Sequence, residues 1–333
     1  MIVSFDSISM PPPTYVPPFE VTPRALTASG EIMRLVGRYE GLLSPKPQPK
    51  LRRANQIRTV MGSVAIEGNT LDEAQIIAIL DKKRVVGPKR EIREVENAIA
   101  AYAHAPRWHP ARSKDLLAAH RTLMSGLVDD AGRFRSRRVG VFQGSRVAHV
   151  APPASRVPLL VEQVLSFVKR KDVQALIASA VVHYELEFIH PFSDGNGRVG
   201  RLWQHLVLVR YHPLFEYLPI ESVIQAKQAE YYRVLEICDK AGSSSLFVEF
   251  SLRTIQESLE EFLHELRPGP ANAKTRLEIA RRAFGADAFS RKDYLAQFST
   301  LSTATASRDL RDGVDARVLT RLGTNALTRY RFR

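Results

Sequence analysis

The sequence predicts a mainly α-helical protein: a helical bundle carrying one small β-hairpin flap, followed by a C-terminal winged helix-turn-helix domain. Three observations predict it. From about Arg52 to Phe262 apolar residues recur at spacings of three and four, the period of helices that bury one face. Arg137 to Val150 departs from that period and reads as two short strands around Gln143-Gly144-Ser145. Arg267-Pro-Gly-Pro270 then divides the chain, because two prolines around a glycine cannot continue a helix.

Taken in order, residues 1–50 form a Pro-rich arm. Pro11-Pro12-Pro13, Pro17-Pro18 and Pro23 exclude regular helix up to about residue 25 and favour an extended segment, lying on the body or loose in solvent. Ser44-Pro-Lys-Pro-Gln-Pro49 makes a second Pro-rich turn. A helical region over 51–110 and a core over 111–266 follow. Within the core, Val173, Leu176, Ile177, Ala180, Tyr184 and Phe188 share one face of a helix that ends at Ile189. Val139, Val141, Val147 and His149 mark the strands of the hairpin, and Pro152-Pro153 closes it. The last domain, 271–333, reads as helices over Ala273–Phe284, Arg291–Phe298 and Thr303–Asp312, then strands near Val318–Leu322 and Thr328–Phe332. That order is the one of a winged helix-turn-helix.

Composition narrows the class. Hydrophobic residues at 44% and charged residues at 25% of 333 positions fit a globular protein rather than a disordered or fibrous one. Apolar runs such as Leu206–Val209 are too short to span a bilayer, so no membrane association is expected. The N-terminus lacks the basic and long apolar regions of a secretory signal. Cys238 is the only cysteine, which rules out an intramolecular disulfide and fits a reducing, cytoplasmic setting. The formal net charge of +13 favours anionic partners: nucleotides, nucleic acid or acidic proteins. Thirteen Lys and Arg against six Asp and Glu between Pro270 and Arg333 concentrate that excess in the C-terminal domain.

The segment richest in chemistry lies between two helices: His190-Pro-Phe-Ser-Asp194-Gly-Asn-Gly-Arg198-Val-Gly-Arg201. A glycine-rich turn entering a helix aims unpartnered backbone N–H groups at one point, beside the positive end of the helix dipole, and such a nest binds phosphate. Arg198 and Arg201, three apart, share a face of the following helix and can both reach a polyphosphate. Asp194 offers a hard oxygen to the Mg²⁺ that accompanies ATP, or to Mn²⁺ in its place. His190 can accept a hydroxyl proton near neutral pH. Base, metal carboxylate, anion nest and two cationic clamps make a phosphoryl-transfer site. Gly195-Asn-Gly197-Arg-Val-Gly200 also matches the dinucleotide fingerprint G-x-G-x-x-G, but that motif follows a strand and here a helix precedes it. His183, Glu187 and His190 fall on one helix face without forming H-E-x-x-H. For His183 and Glu187, packing that orients the loop is preferred to metal binding.

This segment resembles the complete signature of Fic domains, nucleotidyltransferases that AMPylate proteins, and the resemblance extends over roughly Arg52 to Phe250. It implies that His190 deprotonates a Tyr, Thr or Ser hydroxyl of a protein target, which attacks the α-phosphorus of ATP. It implies Mg²⁺ on Asp194; the α- and β-phosphates held by Asn196, Arg198 and the amides of Gly195 and Gly197; and the γ-phosphate on Arg201. Gly200 completes the loop-to-helix set. Tyr231 or Tyr232 helps form the adenine pocket, and the hairpin is the flap that pairs with a target segment by strand addition. Relatives that transfer phosphate instead usually carry Lys at the position of Gly197.

Ser63-Val-Ala-Ile-Glu67-Gly68 resembles the inhibitory motif of Fic proteins that restrain themselves with an N-terminal helix. The same pattern read alone is an ordinary helix ending. The resemblance implies that Glu67 pairs with Arg201 and denies it to the γ-phosphate; in some relatives this glutamate also positions water for removing AMP. In the C-terminal domain, Leu301–Leu310 resembles a winged-helix recognition helix, with Ser302 or Thr303 as its cap and Arg308 and Arg311 exposed. Arg317, Arg321, Arg329 and Arg331 decorate the wing. DNA is one expected partner of that surface. Packing on the core or homodimerisation is the other. The alternative to an enzyme is a DNA-binding regulator whose core senses nucleotide.

Overall fold

The computed structural model describes residues 15–41, 47, 49–143, 146–266, 273–298, 301–324 and 328–333. Residues 1–14, most of the Ser44–Pro49 turn, the hairpin tip Gly144-Ser145 and the Arg267–Pro270 linker lie outside them. The chain forms two compact units, Met1–Leu263 and His264–Arg333.

The first unit begins with a correction to the Pro-rich arm. Residues 15–22 are extended and lie on the body: Pro18 O accepts the Ser244 N–H at 2.9 Å, and Phe19 meets Phe167 edge-on. Helix α1 (Pro23–Glu40) then starts inside the stretch expected to be extended. Pro23 occupies its first turn, where a missing N–H costs nothing, and the Thr22 side chain caps it at Ala25 N. Helix α2 (Pro49–Ala65) crosses helix α9 (Ile220–Ala226) closely. A Cβ on Gly62 would stand 2.6 Å from the Glu221 backbone, so only glycine allows the approach. Helix α3 (Glu73–Leu80), closed by an Asp72/Gln75 capping box, and helix α4 (Lys89–His104) pack on α2 through Val60, Val64, Ile76 and Val95.

Helix α5 (Ser113–Leu123) leads to strands β1 (Gly140–Gln143) and β2 (Arg146–Val150). These are antiparallel, pairing Gly140 with Val150 and Val141 with His149, with a register shift after Val141. After helix α6 (Val157–Phe167) come the two central helices, α7 (Ala175–Ile189) and α8 (Asn196–Tyr211). Both are buried along most of their length, α7 mainly by apolar residues and α8 with Asn196, Arg198, Arg201, Gln204 and His205 enclosed as well; Trp203 is fully enclosed, its indole N–H donating to Pro110 O at 2.9 Å. Helices α10 (Gln228–Ala241) and α11 (Ser245–Glu265) cover them with Tyr231, Phe247 and Phe250. The mainly helical bundle with one small hairpin is the architecture the sequence predicts.

The second unit contains helices α12 (Ala273–Phe284), α13 (Arg291–Gln297) and α14 (Thr303–Asp315) and the antiparallel strands β3 (Leu319–Leu322) and β4 (Arg329–Phe332). Leu277, Phe289, Tyr294, Leu310, Leu319 and Phe332 form its own core. Arg276 grips the buried Asp309 through two bonds of 2.5 and 2.6 Å, which tie α12 to α14.

Candidate active site

The loop between α7 and α8 is built by its own residues. α7 stops at Ile189 because His190 turns left-handed, with φ +50°, and its N–H closes on Leu186 O at 3.1 Å. Pro191 follows and cannot extend the helix. Phe192 is fully buried and stacks on His120 at 3.7 Å. His120 receives the Gly132 N–H on Nδ1 at 2.8 Å, which leaves Nε2–H to donate to Asp194 O at 3.0 Å. Burial chiefly holds this histidine below the usual imidazole range, in agreement with that neutral form. Asn196 closes the loop, its Oδ1 accepting from Phe192 N at 2.9 Å and its Nδ2 donating to Phe192 O at 3.0 Å. The Oδ1 and one Nδ2 hydrogen of that amide are therefore taken up by the loop, while the Asn196 backbone N–H, at the start of α8, has no intrahelical acceptor.

Gly195, with φ +82°, lets the chain turn into α8, where the first N–H groups lack intrahelical acceptors. His190 lies at the other end of the loop. Its Nδ1 faces Glu187 O at 3.3 Å, and donation there leaves the Nε2 lone pair free. Burial is the main influence lowering this imidazole, Glu187 opposes it, and His149 and Arg135 add to it. The net effect favours the neutral, proton-accepting ring.

Asp194 uses Oδ1 on the Gly195 N–H at 2.6 Å and turns Oδ2 toward Arg90, 3.4 Å away. One half-exposed carboxylate oxygen beside a phosphate nest is the protein share that Mg²⁺ ordinarily takes, since it keeps phosphate and water as its other ligands. Among the described residues no cluster of three or more His, Cys, Asp or Glu could hold a metal, which sets aside a His183/Glu187/His190 triad. His183 instead faces Gln204 Oε1 at 2.7 Å and the Tyr231 hydroxyl at 3.1 Å. Gly200 packs against His183 and Glu187 so tightly that a Cβ there would lie 2.9 Å from the imidazole.

Arg198 and Arg201 both leave α8 on the loop side. Arg198 is buried, its Nη2 3.5 Å from Asp194 and its Nη1 3.7 Å from Glu94 of α4. Arg201 is buried deeper and donates through Nη2 to Glu67 Oε1 at 2.7 Å and to Ser63 O at 3.1 Å. Burial is the largest single influence and lowers this guanidinium, but Glu67 together with Tyr231 and Glu187 holds it well above its ordinary range. Ser63 thus meets Arg201 through its carbonyl rather than its hydroxyl. Glu67 sits in the turn that ends α2, just before Gly68 at φ +90°. Its carboxylate lies against Gly197, where a Cβ would come within 2.6 Å of Oε1.

A cavity of about 380 Å³ opens onto His190, Gly197, Arg201 and Glu67 and continues between Tyr184, Phe188, Tyr232 and Leu235. Tyr231 is buried beside it with its hydroxyl on Glu187 at 3.3 Å, while Tyr232 is partly exposed and donates to Ile66 O at 3.2 Å. Three participants escaped the sequence reading: Arg135, which donates to His190 O at 2.7 Å, and Arg90 and Glu94 of α4. Their partners are distant in sequence, so no local pattern marks them.

Residues 110–208 match the Fic/DOC family. The chain is 30% identical over 243 residues to protein adenylyltransferase fic-1 of Caenorhabditis elegans, and 31% identical over 227 residues to protein adenylyltransferase Fic of Aedes aegypti. These alignments cover 67% and 64% of this chain but only 44% and 43% of the relatives, so the chain spans less than half the length of those curated relatives. The crystal structure of a Fic family protein from Desulfovibrio desulfuricans superposes with a TM-score of 0.73 at 40% identity, covering 96% of this chain and 98% of that one. With the His190–Arg201 loop in the same helical frame, the chain belongs to the Fic family.

Proposed function

We propose that the protein transfers AMP from Mg-ATP to a Tyr, Thr or Ser hydroxyl of a protein, itself included, and that Glu67 restrains it by occupying Arg201. The observation that carries this reading is one cavity reached by three things: a histidine with a free Nε2, the unpartnered N–H groups of the α8 N-terminus, and a buried arginine. The adenylyltransferase relatives support the same chemistry.

In the reaction, His190 Nε2 takes the hydroxyl proton as the oxygen attacks the α-phosphorus. The bond to the β-phosphate oxygen breaks, and pyrophosphate departs with the electron pair. The N–H groups of Asn196, Gly197 and Arg198 and the Arg198 guanidinium hold the α- and β-phosphates, and Arg201 holds the γ-phosphate. Mg²⁺ on Asp194 would neutralise phosphate charge and steady the leaving group. The apolar end of the cavity, with Tyr231 behind it and Tyr232 at its wall, takes the adenine. Labelling with radioactive ATP tests the reading: Glu67→Gly should raise incorporation and His190→Ala should abolish it. Equal incorporation in both variants and the parent rejects the assignment.

A second activity is proposed for the C-terminal unit, which we read as a winged helix that binds duplex DNA. Arg308 and Arg311 stand exposed on α14, and Arg321, Arg329 and Arg331 on the strands; of the three acids of α14, Asp309 is buried against Arg276 while Asp312 and Asp315 are exposed. These five exposed arginines outnumber the two exposed acids of α14, which leaves a net cationic surface. DNA affinity should fall steeply with salt, and an unchanged shift between low and high salt would dismiss it.

A further inference from the structure

The catalytic histidine stands at the end of a helix, and helix ends leave carbonyls without intrahelical donors. At the end of α7 every carbonyl from Leu186 to Pro191 has a partner. Leu186 O takes the His190 N–H, and Glu187 O faces His190 Nδ1. The remaining four are served from the hairpin and the segment leading into it. Phe188 O faces His149 Nε2 at 2.7 Å. Ile189 O and His190 O accept from the Arg135 guanidinium at 3.2 and 2.7 Å, and Pro191 O accepts the Arg135 backbone N–H at 3.0 Å.

Arg135 is 4% exposed and directs its other donors to Arg137 O at 2.9 Å and Pro152 O at 2.6 Å, the chain just before and just after the hairpin. All of these acceptors are neutral carbonyls. A cation buried among carbonyls at a helix C-terminus is favoured by the negative end of the helix dipole. His149, on β2, completes the attachment with its Nδ1 2.8 Å from Asp239 of α10.

We propose that Arg135, assisted by His149, is a positioning residue for His190: it fastens both feet of the hairpin to the left-handed turn that carries the histidine. The surface on which a target segment would lie and the base that acts on it are then one mechanical unit. The planar fork is what the geometry requires, because it meets four carbonyls in fixed directions, whereas a lysine ammonium carries three donors on one atom. The inference rests on the adenylyltransferase reading.

The charge of Arg135 has a separate effect. Burial lowers His190 most, Glu187 from α7 raises it, and His149 from β2 and Arg135 lower it. Removing the Arg135 charge therefore raises the His190 pKa and moves the acid limb of the pH–rate profile to higher pH. Replacing Arg by Lys keeps the charge and should leave that limb in place.

The test uses the full chain in the Glu67→Gly background, measuring single-turnover incorporation, ATP affinity by calorimetry and thermal unfolding. Arg135→Lys is expected to slow incorporation by about tenfold or more, since misplacing a catalytic group by about 1 Å can cost a hundredfold, with ATP affinity within about twofold of the parent. Arg135→Met should show the same slowing together with the displaced acid limb. His149→Ala, which cuts only the β2 attachment, should slow incorporation less, by about threefold. An Arg135→Lys protein that labels at the parental rate, or whose ATP affinity falls in step with its rate, overturns the inference. If neither Arg135 variant folds, a parental rate in His149→Ala overturns it. A Glu67→Gly parent that incorporates nothing overturns the transferase reading and this inference with it.

Discussion

Arg198 and Arg201 leave the same helix three residues apart, yet they are held in different ways. Arg201 makes a 2.7 Å charge-assisted hydrogen bond to Glu67, with Ser63 O as a second acceptor. Arg198 lies 3.5 and 3.7 Å from Asp194 and Glu94, distances of ion pairing rather than strong hydrogen bonding, whereas the buried Nε of both arginines is without a partner among the described residues. One arginine is closed and the other is open. On the proposed reading, the difference would put restraint at the γ-phosphate end of the nucleotide site and leave the α- and β-phosphate end ready for its ligand.

The sharpest way to break that contrast is to open Arg201. Glu67→Gly removes a short pair to a side chain that is 1% exposed. A pairing that contributes about 1.4 kcal/mol lowers the competent fraction about tenfold, and a desolvated Arg–carboxylate pair can exceed this. Self-labelling should rise at least about tenfold, with tighter ATP binding by calorimetry. A rise in labelling without any change in ATP affinity would mean that Glu67 misaligns the nucleotide rather than excluding it.

A smaller effect should come from the anchor of the same turn. Asn69 follows Gly68 and spends its whole amide there: Nδ2 donates to Glu91 O at 3.1 Å and Glu94 Oε2 at 3.0 Å, and Oδ1 accepts from Leu71 N at 3.1 Å. Asn69→Ala leaves buried groups unpaired at a cost of about 1–3 kcal/mol, drawn from the conformation that presents Glu67. Labelling should rise about threefold in the otherwise native chain and not at all in the Glu67→Gly background. A rise in both backgrounds would show that Asn69 acts on the phosphate side through Glu94.

On the open side, Arg90 tests how ready Asp194 is. Its side chain is 58% exposed and its Nη2 lies 3.4 Å from Asp194 Oδ2, where it would compete with the divalent cation of the proposed reaction. Exposed pairs of this kind contribute up to about 1 kcal/mol, so Arg90→Ala should lower the Mg²⁺ concentration for half-maximal labelling by about two- to fivefold in the Glu67→Gly background. A higher Mg²⁺ requirement would instead place Arg90 on the phosphates.

The two sides also differ in how far the sequence discloses them. The loop is legible because His190, Asp194, Gly195, Arg198 and Arg201 are neighbours in the chain and a helix period sets their directions. Asn196 has the right residue type for a phosphate ligand, but only the folded loop reveals its amide closed on Phe192. Arg135, Arg90 and Glu94 stay hidden because their site partners lie far off in the chain: Arg135 binds the His190 carbonyl, Arg90 faces Asp194 and Glu94 faces Arg198, and such pairs have no spacing to read. Helix α1 was obscured by the reverse error: prolines forbid helix interiors but suit a first turn, which is where Pro23 stands.

The smallest expected effect concerns a second carboxyl near the closed arginine. Glu221 is 2% exposed, and its Oε1 accepts from the Tyr102 hydroxyl at 2.6 Å. Burial pushes it up from 4.5 to about 7, against the opposing influences of Tyr102, its own backbone and Arg201. Because the folded value lies above the unfolded one, the native state binds the extra proton between those limits. The stabilisation is complete below about pH 4.5 and is lost as pH rises through 7. Glu221→Gln keeps the neutral shape without the titration, so the native chain should lose about 1–3 kcal/mol relative to this variant between pH 5 and pH 8, read from paired thermal melts. At pH 6 the variant should label like the native chain, because a protonated Glu221 does not share the Arg201 charge with Glu67. Lower labelling at pH 6 would show that Glu221 is ionised there and draws Arg201 away from Glu67, so the closed side of the site would hold two competing carboxylates instead of one.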